Sequence, residues 1–297
     1  MMLHVSPFDL LTVGEAFQDL IFVGLPHMPK HGEELKTARF VSTIGGGAVI
    51  TAMAAARLGM RTAVVSGLSA DAVRSLRREK VAVVNVKRHS EPHAITVSLS
   101  TARDRSFVTF NGVNDRLQPR LPAAIDRQPA RHVHFAFSPD NCLRWTRLVD
   151  RLRARGATTS WDFGWNPSLL RQRGFGGLVG SLDFVFLNEM ELTMYARTRR
   201  SRAAIAHWRR SARNTIVKLG RRGSRWVTQT RDLSAPAPRV RVVDTTGAGD
   251  AFNGGFLSAL IGGRPPRECL RIGNFVGARS TLAAGGLLGL PRRRELP

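Results

Sequence analysis

The chain has 297 residues, which is enough to bury a substantial core as one large domain or two modest ones. Hydrophobic residues make up 43% and charged residues 23% of the sequence, as is ordinary for a soluble globular protein. We find no apolar run near the roughly 18 residues of a membrane span, and the first eleven residues do not resemble a secretory signal.

The formal net charge of +23 is unusual and raises the possibility of nucleic-acid binding. The clustered arginines, however, form short runs that lie far apart, without interleaved aromatic residues or a nucleic-acid motif. We therefore expect a solvated basic surface and no nucleic-acid partner, with electrostatic steering of anionic substrates as an alternative. The runs are Arg199-Arg200, Arg209-Arg210, Arg221-Arg222 and Arg292-Arg293-Arg294.

The two cysteines, Cys142 and Cys269, belong to no CxxC or Cys/His cluster, so neither a zinc site nor a disulfide framework is indicated. Both are expected to be buried as small apolar side chains. Such usage fits a reducing compartment and predicts a cytoplasmic protein.

Apolar, β-branched runs alternate with helical patterns along most of the chain, which predicts an α/β fold with a mostly parallel sheet. Predicted strands are Phe8–Val13, Thr62–Ser66, Val81–Val86, His132–Phe137, Ala157–Asp162, Phe184–Leu187 and Thr215–Leu219. Predicted helices are Ala48–Leu58, Leu143–Arg155, Glu189–Arg197 and Arg202–Ser211.

Two stretches, Glu15–Val41 and His93–Phe110, contain strand patterns without intervening helices. The second should form a hairpin that turns at Ala102–Arg105. These stretches predict a small sheet projecting from the main domain, and extra edge strands of the same sheet are the alternative. The segment Arg231–Arg239 contains two prolines and is predicted to be a connecting loop.

The strongest chemical signal is the segment Val242–Phe256, in which a β-branched strand end enters a Gly-rich turn and then a helix. Such a turn directs backbone N–H groups into one concavity at the positive end of the helix dipole, which suits a phosphoryl group. Asp250, in the first turn, could accept the proton of an attacking hydroxyl. Taken alone, the pattern Gly-x-Gly-Asp favours an Asp N-cap on a tight Gly turn. The segment matches neither a Walker A loop nor a dinucleotide fingerprint.

The run Asp244-Thr245-Thr246-Gly247-Ala248-Gly249-Asp250-Ala251-Phe252 closely resembles the C-terminal signature of the ribokinase-like (PfkB) carbohydrate kinase family. The resemblance implies that Asp250 is the catalytic base. It also implies that the amides of Gly247, Ala248 and Gly249 form the anion hole.

Two N-terminal segments extend the resemblance. The turn Gly45-Gly46-Gly47, which opens the Ala-rich helix, resembles the family's N-terminal signature and implies close approach of backbone to a sugar. Asp19 resembles the family's aspartate that grips substrate hydroxyls, and a carboxylate suits a vicinal diol. Ile50 departs from the pattern because the family commonly has a substrate-contacting Asn there, and an apolar side chain cannot hydrogen-bond a sugar.

Asn188 and Glu191, just after an apolar strand, match the family's Asn-x-x-Glu motif and are implied to help hold Mg²⁺, directly or through water. An acid-rich helix N-terminus is the structural alternative.

The resemblance also implies an ATP site formed by Lys218, Gly220, Gly223, Thr245 and Asn274. The family often has Thr or Ser at the position of Lys218, where a lysine could still contact a phosphate. His93 stands where Thr is frequent, and the family's Gly-x-Asp-x-x-Gly pattern is absent from Ser69–Arg78.

The resemblance implies a three-layer α/β/α ribokinase-like fold over one domain, residues 1–297, with a β-sheet lid from about 15–41 and 93–110. The implied reaction transfers the γ-phosphoryl group of Mg-ATP to a hydroxyl of a sugar or sugar-like substrate. A nucleoside kinase and a non-catalytic ligand- or nucleic-acid-binding protein are the alternatives. A homodimer formed through the lid is implied, and dependence on a monovalent cation stays open.

Overall fold

The structure is a computed structural model that describes residues 7–101 and 105–297. Its strands are β1 (Phe8–Gly14), β2 (Phe17–Leu25), β3 (Arg39–Gly45), β4 (Thr62–Ser66), β5 (Ala82–Asn85), β6 (Ile95–Thr101), β7 (Arg105–Phe110), β8 (Ala130–Ala136), β9 (Thr158–Asp162), β10 (Phe184–Asn188), β11 (Thr215–Lys218), β12 (Ser224–Val227) and β13 (Asp232–Ala235). Its α-helices are α1 (Gly47–Arg57), α2 (Ala70–Arg78), α3 (Leu121–Asp126), α4 (Cys142–Ala154), α5 (Phe175–Ser181), α6 (Glu189–Tyr195), α7 (Ser201–Ser211), α8 (Ala248–Ile261) and α9 (Pro266–Ser280).

Nine strands form the central sheet in the order β13-β12-β11-β10-β9-β8-β1-β4-β5. All neighbours from β11 to β5 are parallel, and only β12 and β13 join in antiparallel pairs. Helical crossovers allow the parallel pairing and bring the carboxyl ends of β1, β8, β9, β10 and β11 to one edge.

Helices cover both faces of the central sheet. Leu10 and Leu11, adjacent on β1, point into two different cores because successive strand residues face opposite sides. The first core packs α1, α2, α8 and α9 against the sheet, and the second packs α3 to α7. This three-layer arrangement confirms the predicted fold class. Among the described residues, no helix combines the length and apolar character needed to cross a bilayer.

A second sheet has four strands in the order β3-β2-β6-β7, with β2 and β6 parallel and the outer pairs antiparallel. It is separate from the central sheet, so the alternative of extra edge strands is wrong. Only Glu15 and Ala16 lie between β1 and β2. The predicted turn at Ala102–Arg105 falls mainly on residues 102–104, which lie outside the described residues.

The prediction of a loop over Arg231–Arg239 is wrong in part. Asp232–Ala235 is the strand β13, which pairs with β12 at the edge of the sheet. Its four residues alternate polar and apolar, with Asp232 and Ser234 exposed, because an edge strand is open on one side; it therefore lacks the apolar run that signals a central strand. The helix α2, with only Ala72 and Leu76 buried, was likewise not predicted.

Candidate active site

The carboxyl edge of the parallel strands gathers the polar residues of the candidate site. Asp162 ends β9, Asn188 ends β10 and Lys218 ends β11, while the N-terminus of α8 lies beside them. Ligands of open α/β sheets bind in the crevice at this edge.

The turn that opens α8 requires glycine at Gly247. Its φ is +69°, and a Cβ there would lie 2.4 Å from Cδ1 of Ile50. The Ala248 N–H donates to the carbonyl oxygen of Thr245 at 3.2 Å. The next amides, those of Gly249 and Asp250, are first-turn donors without a carbonyl to receive them inside the helix. These amides and the helix dipole make the turn suited to an anion.

Asp250 lies between the two Gly-rich turns. A Cβ added at Gly47 would be 2.9 Å from its Oδ1 atom, and Thr51 Oγ1 donates to its backbone oxygen at 3.1 Å. Burial, with the nearby charges of Asp162 and Glu191, raises the pKa of Asp250 to about 7, although Lys218 acts in the opposite direction. A carboxylate with this pKa can serve as a base near neutral pH.

Lys218 and Asp162 form a nearly buried ion pair in the crevice. The distance from Lys218 Nζ to Asp162 Oδ2 is 2.6 Å, and the two side chains are 14% and 11% exposed. Asn253, on α8, donates to the same Oδ2 atom at 2.8 Å. A Cβ added at Gly249 would be 3.1 Å from Lys218 Nζ, so the ammonium lies against the Gly-rich turn.

Asn188 and Glu191 form a capping box at the start of α6. Asn188 donates to the carboxylate of Glu191 through its backbone N–H and its side-chain amide, both at 2.8 Å. The Glu191 N–H donates back to Asn188 Oδ1 at 2.9 Å. Burial and the charge of Asp162 raise the pKa of Glu191 to about 7. In the described part of the chain, no group of three or more His, Cys, Asp or Glu side chains forms a ready-made metal site.

A cavity of about 380 Å³ opens between β11, the segment after β13, and helices α8 and α9. Its lining includes all five residues predicted for the ATP site: Lys218, Gly220, Gly223, Thr245 and Asn274. The amide group of Asn274 donates to Ala235 O at 2.9 Å and Pro236 O at 3.2 Å, so it braces the loop that forms one wall. Arg221 and Arg239 also line this cavity.

The opposite side of the crevice brings Asp19 against the first Gly-rich turn. A Cβ added at Gly45 would come within 1.9 Å of Asp19 Oδ2, and Gly46 has φ +100° and caps α1. Burial, then the charge of Asp244, raises the pKa of Asp19 to about 7. Ile50 is 2% exposed and packs beneath Gly247, so it supports the turn instead of presenting a polar group.

Sequence reasoning missed Asp162 and Asn253. Asp162 is an acid at the carboxyl end of a buried strand, and Asn253 lies three residues after Asp250 on the same face of α8. Both signals were present, but only folding brings the two side chains together. His93 is half-buried and lies two residues before β6, although the sequence predicts strand structure from His93 onward.

Comparisons with known proteins show the family to which the chain belongs. The sequence model of one family, described as pfkB family carbohydrate kinase, matches residues 8–293. A ribokinase of Arabidopsis thaliana is 26% identical over 99% of this chain and 80% of its own. A 2-dehydro-3-deoxygluconokinase of Bacillus subtilis is 26% identical over 97% of this chain and 94% of its own.

Solved structures share the fold. An adenosine kinase from Sinorhizobium meliloti superimposes with a TM-score of 0.80 at 22% identity, covering 95% of this chain and 96% of that one. The Arabidopsis thaliana ribokinase complexed with ribose and ATP has a TM-score of 0.75 at 24% identity, covering 98% and 97%.

The fold and the family match define a phosphotransferase with an alcohol group as acceptor, and ATP is its phosphoryl donor. The chain belongs to the pfkB family of carbohydrate kinases.

Proposed function

We propose that this kinase phosphorylates a hydroxyl group of a sugar or sugar-like molecule, with Asp250 as the catalytic base. The observation that carries the proposal is the position of Asp250, whose carboxylate touches Gly47 of one turn while its backbone belongs to the other. The acceptor would lie against Asp19 and the turn Gly45–Gly47, and the phosphoryl group against the start of α8.

The transfer step follows from this placement. The Asp250 carboxylate takes the proton of the acceptor hydroxyl as its oxygen forms a bond to the γ-phosphorus atom. The bond from that phosphorus to the bridging oxygen of ADP breaks, and ADP leaves with the electron pair. The anion hole implied by the resemblance comprises the amides of Gly247, Ala248 and Gly249. Because the Ala248 N–H already bonds to Thr245 O, we assign the stabilisation of the transferred oxygens to the first-turn amides of Gly249 and Asp250.

Mg²⁺ fits the charge of the crevice. The carboxylates of Asp162, Glu191 and Asp250 outnumber the ammonium of Lys218, and their mutual repulsion contributes to the raised pKa values of Glu191 and Asp250. Because the Asn188 and Glu191 side chains bind each other, they would hold the ion through its water shell. When bound, Mg²⁺ would neutralise charge on the β- and γ-phosphate oxygens.

The cavity beside α9 is proposed to hold the nucleotide. Its walls are largely apolar around Val240, Val242 and Phe252, which suits a flat base, while Lys218 and Arg221 provide positive charge at the phosphate end. The lid proposed for residues 15–41 and 93–110 would exclude water from the acceptor.

A nucleoside acceptor is a second candidate, supported by Ile50. This buried apolar side chain stands where a sugar-contacting amide is common in the family, so the acceptor must be held by other groups. Acceptor-dependent ADP release with Mg-ATP across pentoses, hexoses, sugar phosphates, ketodeoxy acids and nucleosides would separate the candidates. Asp250→Asn should reduce turnover by roughly 10³-fold or more; equal activity would rule out Asp250 as the base.

We propose a homodimer formed through the small sheet because one face of that sheet exposes large apolar side chains. Phe40, Val108 and Phe110 are 53%, 68% and 54% exposed, and strand pairing places them on one face with Phe22 and Ile95. This face is the apolar surface that a second copy of the same sheet could cover.

A further inference from the structure

The ammonium of Lys218 is held beside the first turn of α8, the turn proposed above to receive the phosphoryl group. Lys218 ends β11, yet its side chain reaches past β10 to bind Asp162 at the end of β9. On this path Nζ lies beside Gly249, whose amide is one of the first-turn donors of α8. A fixed cation therefore lies next to the turn that carries this amide.

The support beneath Lys218 is also fixed. Oδ2 of Asp162 accepts from both Lys218 and Asn253, and Asn253 is fully buried. Since Asn253 follows Asp250 by about one turn of α8, a single helix positions both the base and the brace for Asp162. The base and the cation therefore share one rigid frame.

Packing alone gives little reason for this arrangement. A buried ion pair contributes little net stability, because removing two charges from water costs about as much as their attraction returns. A pair of apolar side chains could fill the space as well. The charge at Lys218 is better explained by a task in the crevice.

We propose that Lys218 is a catalytic residue whose ammonium stabilises the γ-phosphoryl oxygens during transfer, and that Asp162 and Asn253 are positioning residues that hold it there. The inference rests on the proposed function and deepens it. The ammonium moves no proton: it offsets negative charge on the phosphoryl oxygens while the bond to ADP breaks.

The test compares Lys218→Met with the double variant Lys218→Met/Asp162→Asn. The single variant leaves the Asp162 carboxylate buried without a counter-charge, which could itself disturb the site or the fold. The double variant removes both charges, which shift the pKa of Asp250 in opposite directions, and keeps a hydrogen-bond acceptor for Asn253. It therefore tests the loss of the ammonium without leaving an unpaired buried carboxylate. Thermal unfolding of each variant verifies that the protein is folded.

Two rates are measured at saturating Mg-ATP: acceptor-dependent ADP release and basal hydrolysis of ATP. The affinity for ADP, which lacks the γ-phosphoryl group, is measured by calorimetry. We expect both Lys218 variants to lose roughly 10²–10³-fold in kcat, with ADP affinity changed by less than about tenfold. A double variant that recovers to within about threefold of the wild type would overturn the proposal. So would loss of ADP affinity with kcat intact.

Asp162→Asn alone tests the positioning role. It should lower kcat by roughly 10–100-fold with little change in the KM for ATP, because the cation is present but misplaced. A lower melting temperature with unchanged kcat would show that Asp162 only supports the fold. The variant Asp250→Asn distinguishes failure of the proposed function from failure of this inference. Full activity of Asp250→Asn refutes the proposed function. An inactive Asp250→Asn variant together with fully active Lys218 variants refutes only the role of Lys218.

Discussion

The backbone of Gly47 lies directly against the carboxylate of Asp250, so that a Cβ added at Gly47 would be 2.9 Å from Oδ1. This contact joins the turn proposed for the acceptor to the proposed base. Gly47→Ala should push the carboxylate from its position and lower kcat/KM by roughly 10–100-fold.

A matched control for that substitution is Gly176→Ala. Gly176 lies exposed on α5, where an added Cβ meets nothing within 4 Å, and alanine is the better helix former. It should leave kcat/KM unchanged. Equal effects of the two substitutions on activity would show that the Gly47 contact has no particular role.

The activity should depend steeply on pH below neutrality. Asp250 and Asp19 both have a pKa raised to about 7, chiefly by burial. In the roles proposed for them, both must be ionised to accept hydrogens from the acceptor. The logarithm of kcat/KM should therefore rise with pH up to about 7, with a slope between one and two. In Asp19→Asn the residual activity should follow a slope of one. A flat profile between pH 5.5 and 8 would contradict both assignments.

The contribution of Asp250 to the stability of the fold should decrease as pH rises, whereas the activity increases. Since folding raises the pKa of Asp250 from 3.8 to about 7, the fold favours the neutral acid. That contribution is complete below the unfolded pKa and is lost as pH rises through the folded value. Asp250→Asn, which stays neutral, should raise the melting temperature at pH 8 by roughly 2–4 °C and have little effect at pH 4. A lower melting temperature at pH 8 would count against the assignment.

The sequence predicted the architecture well because its parallel strands are buried, apolar and regularly spaced. It failed at β13, an edge strand without an apolar run, and at α2, which buries only Ala72 and Leu76. The predicted site residues of the C-terminal signature are neighbours in sequence, so their proximity needed no fold. Asp162 could not be placed beside Lys218 in this way, since the pair forms only when β9, β10 and β11 align.

Two buried histidines on β8 should make the stability of the fold sensitive to acid. His132 and His134 bond to the hydroxyl of Ser160 at 2.8 and 2.7 Å, and burial lowers their pKa values to about 3 and about 4. Because the unfolded chain binds these protons first, stability from the neutral rings is present above about pH 6.5 and is lost as pH falls.

The substitution His134→Gln should reduce the loss of stability at acid pH. The free energy of unfolding is measured with denaturant at pH 6.0, 5.25 and 4.5. Its decrease with falling pH should be smaller in the variant than in the wild type, by up to about 1.4 kcal/mol per pH unit. Identical pH dependence in the two proteins would show that His134 does not titrate on unfolding.

The proposed dimer can be tested on the exposed face of the small sheet. Phe40→Glu/Val108→Glu places two charges on that face and should convert a dimer into a monomer in light scattering. Met190→Glu, which changes an exposed apolar residue of α6, should leave the mass unaltered. A wild-type protein that is monomeric at high concentration would refute the proposed interface.

The order of the elements along the chain has a consequence for how such an enzyme can diversify. The small sheet and the turn at Gly45–Gly47, proposed to hold the acceptor, come from residues before 111, whereas the cavity proposed for the nucleotide is lined by residues 218–281. With these assignments, changes of acceptor can accumulate in the first part of the gene without disturbing the donor site in the last part. An exchange of the N-terminal segment between relatives would transplant a specificity, provided that Ile50 still packs beneath Gly247 where the two halves meet.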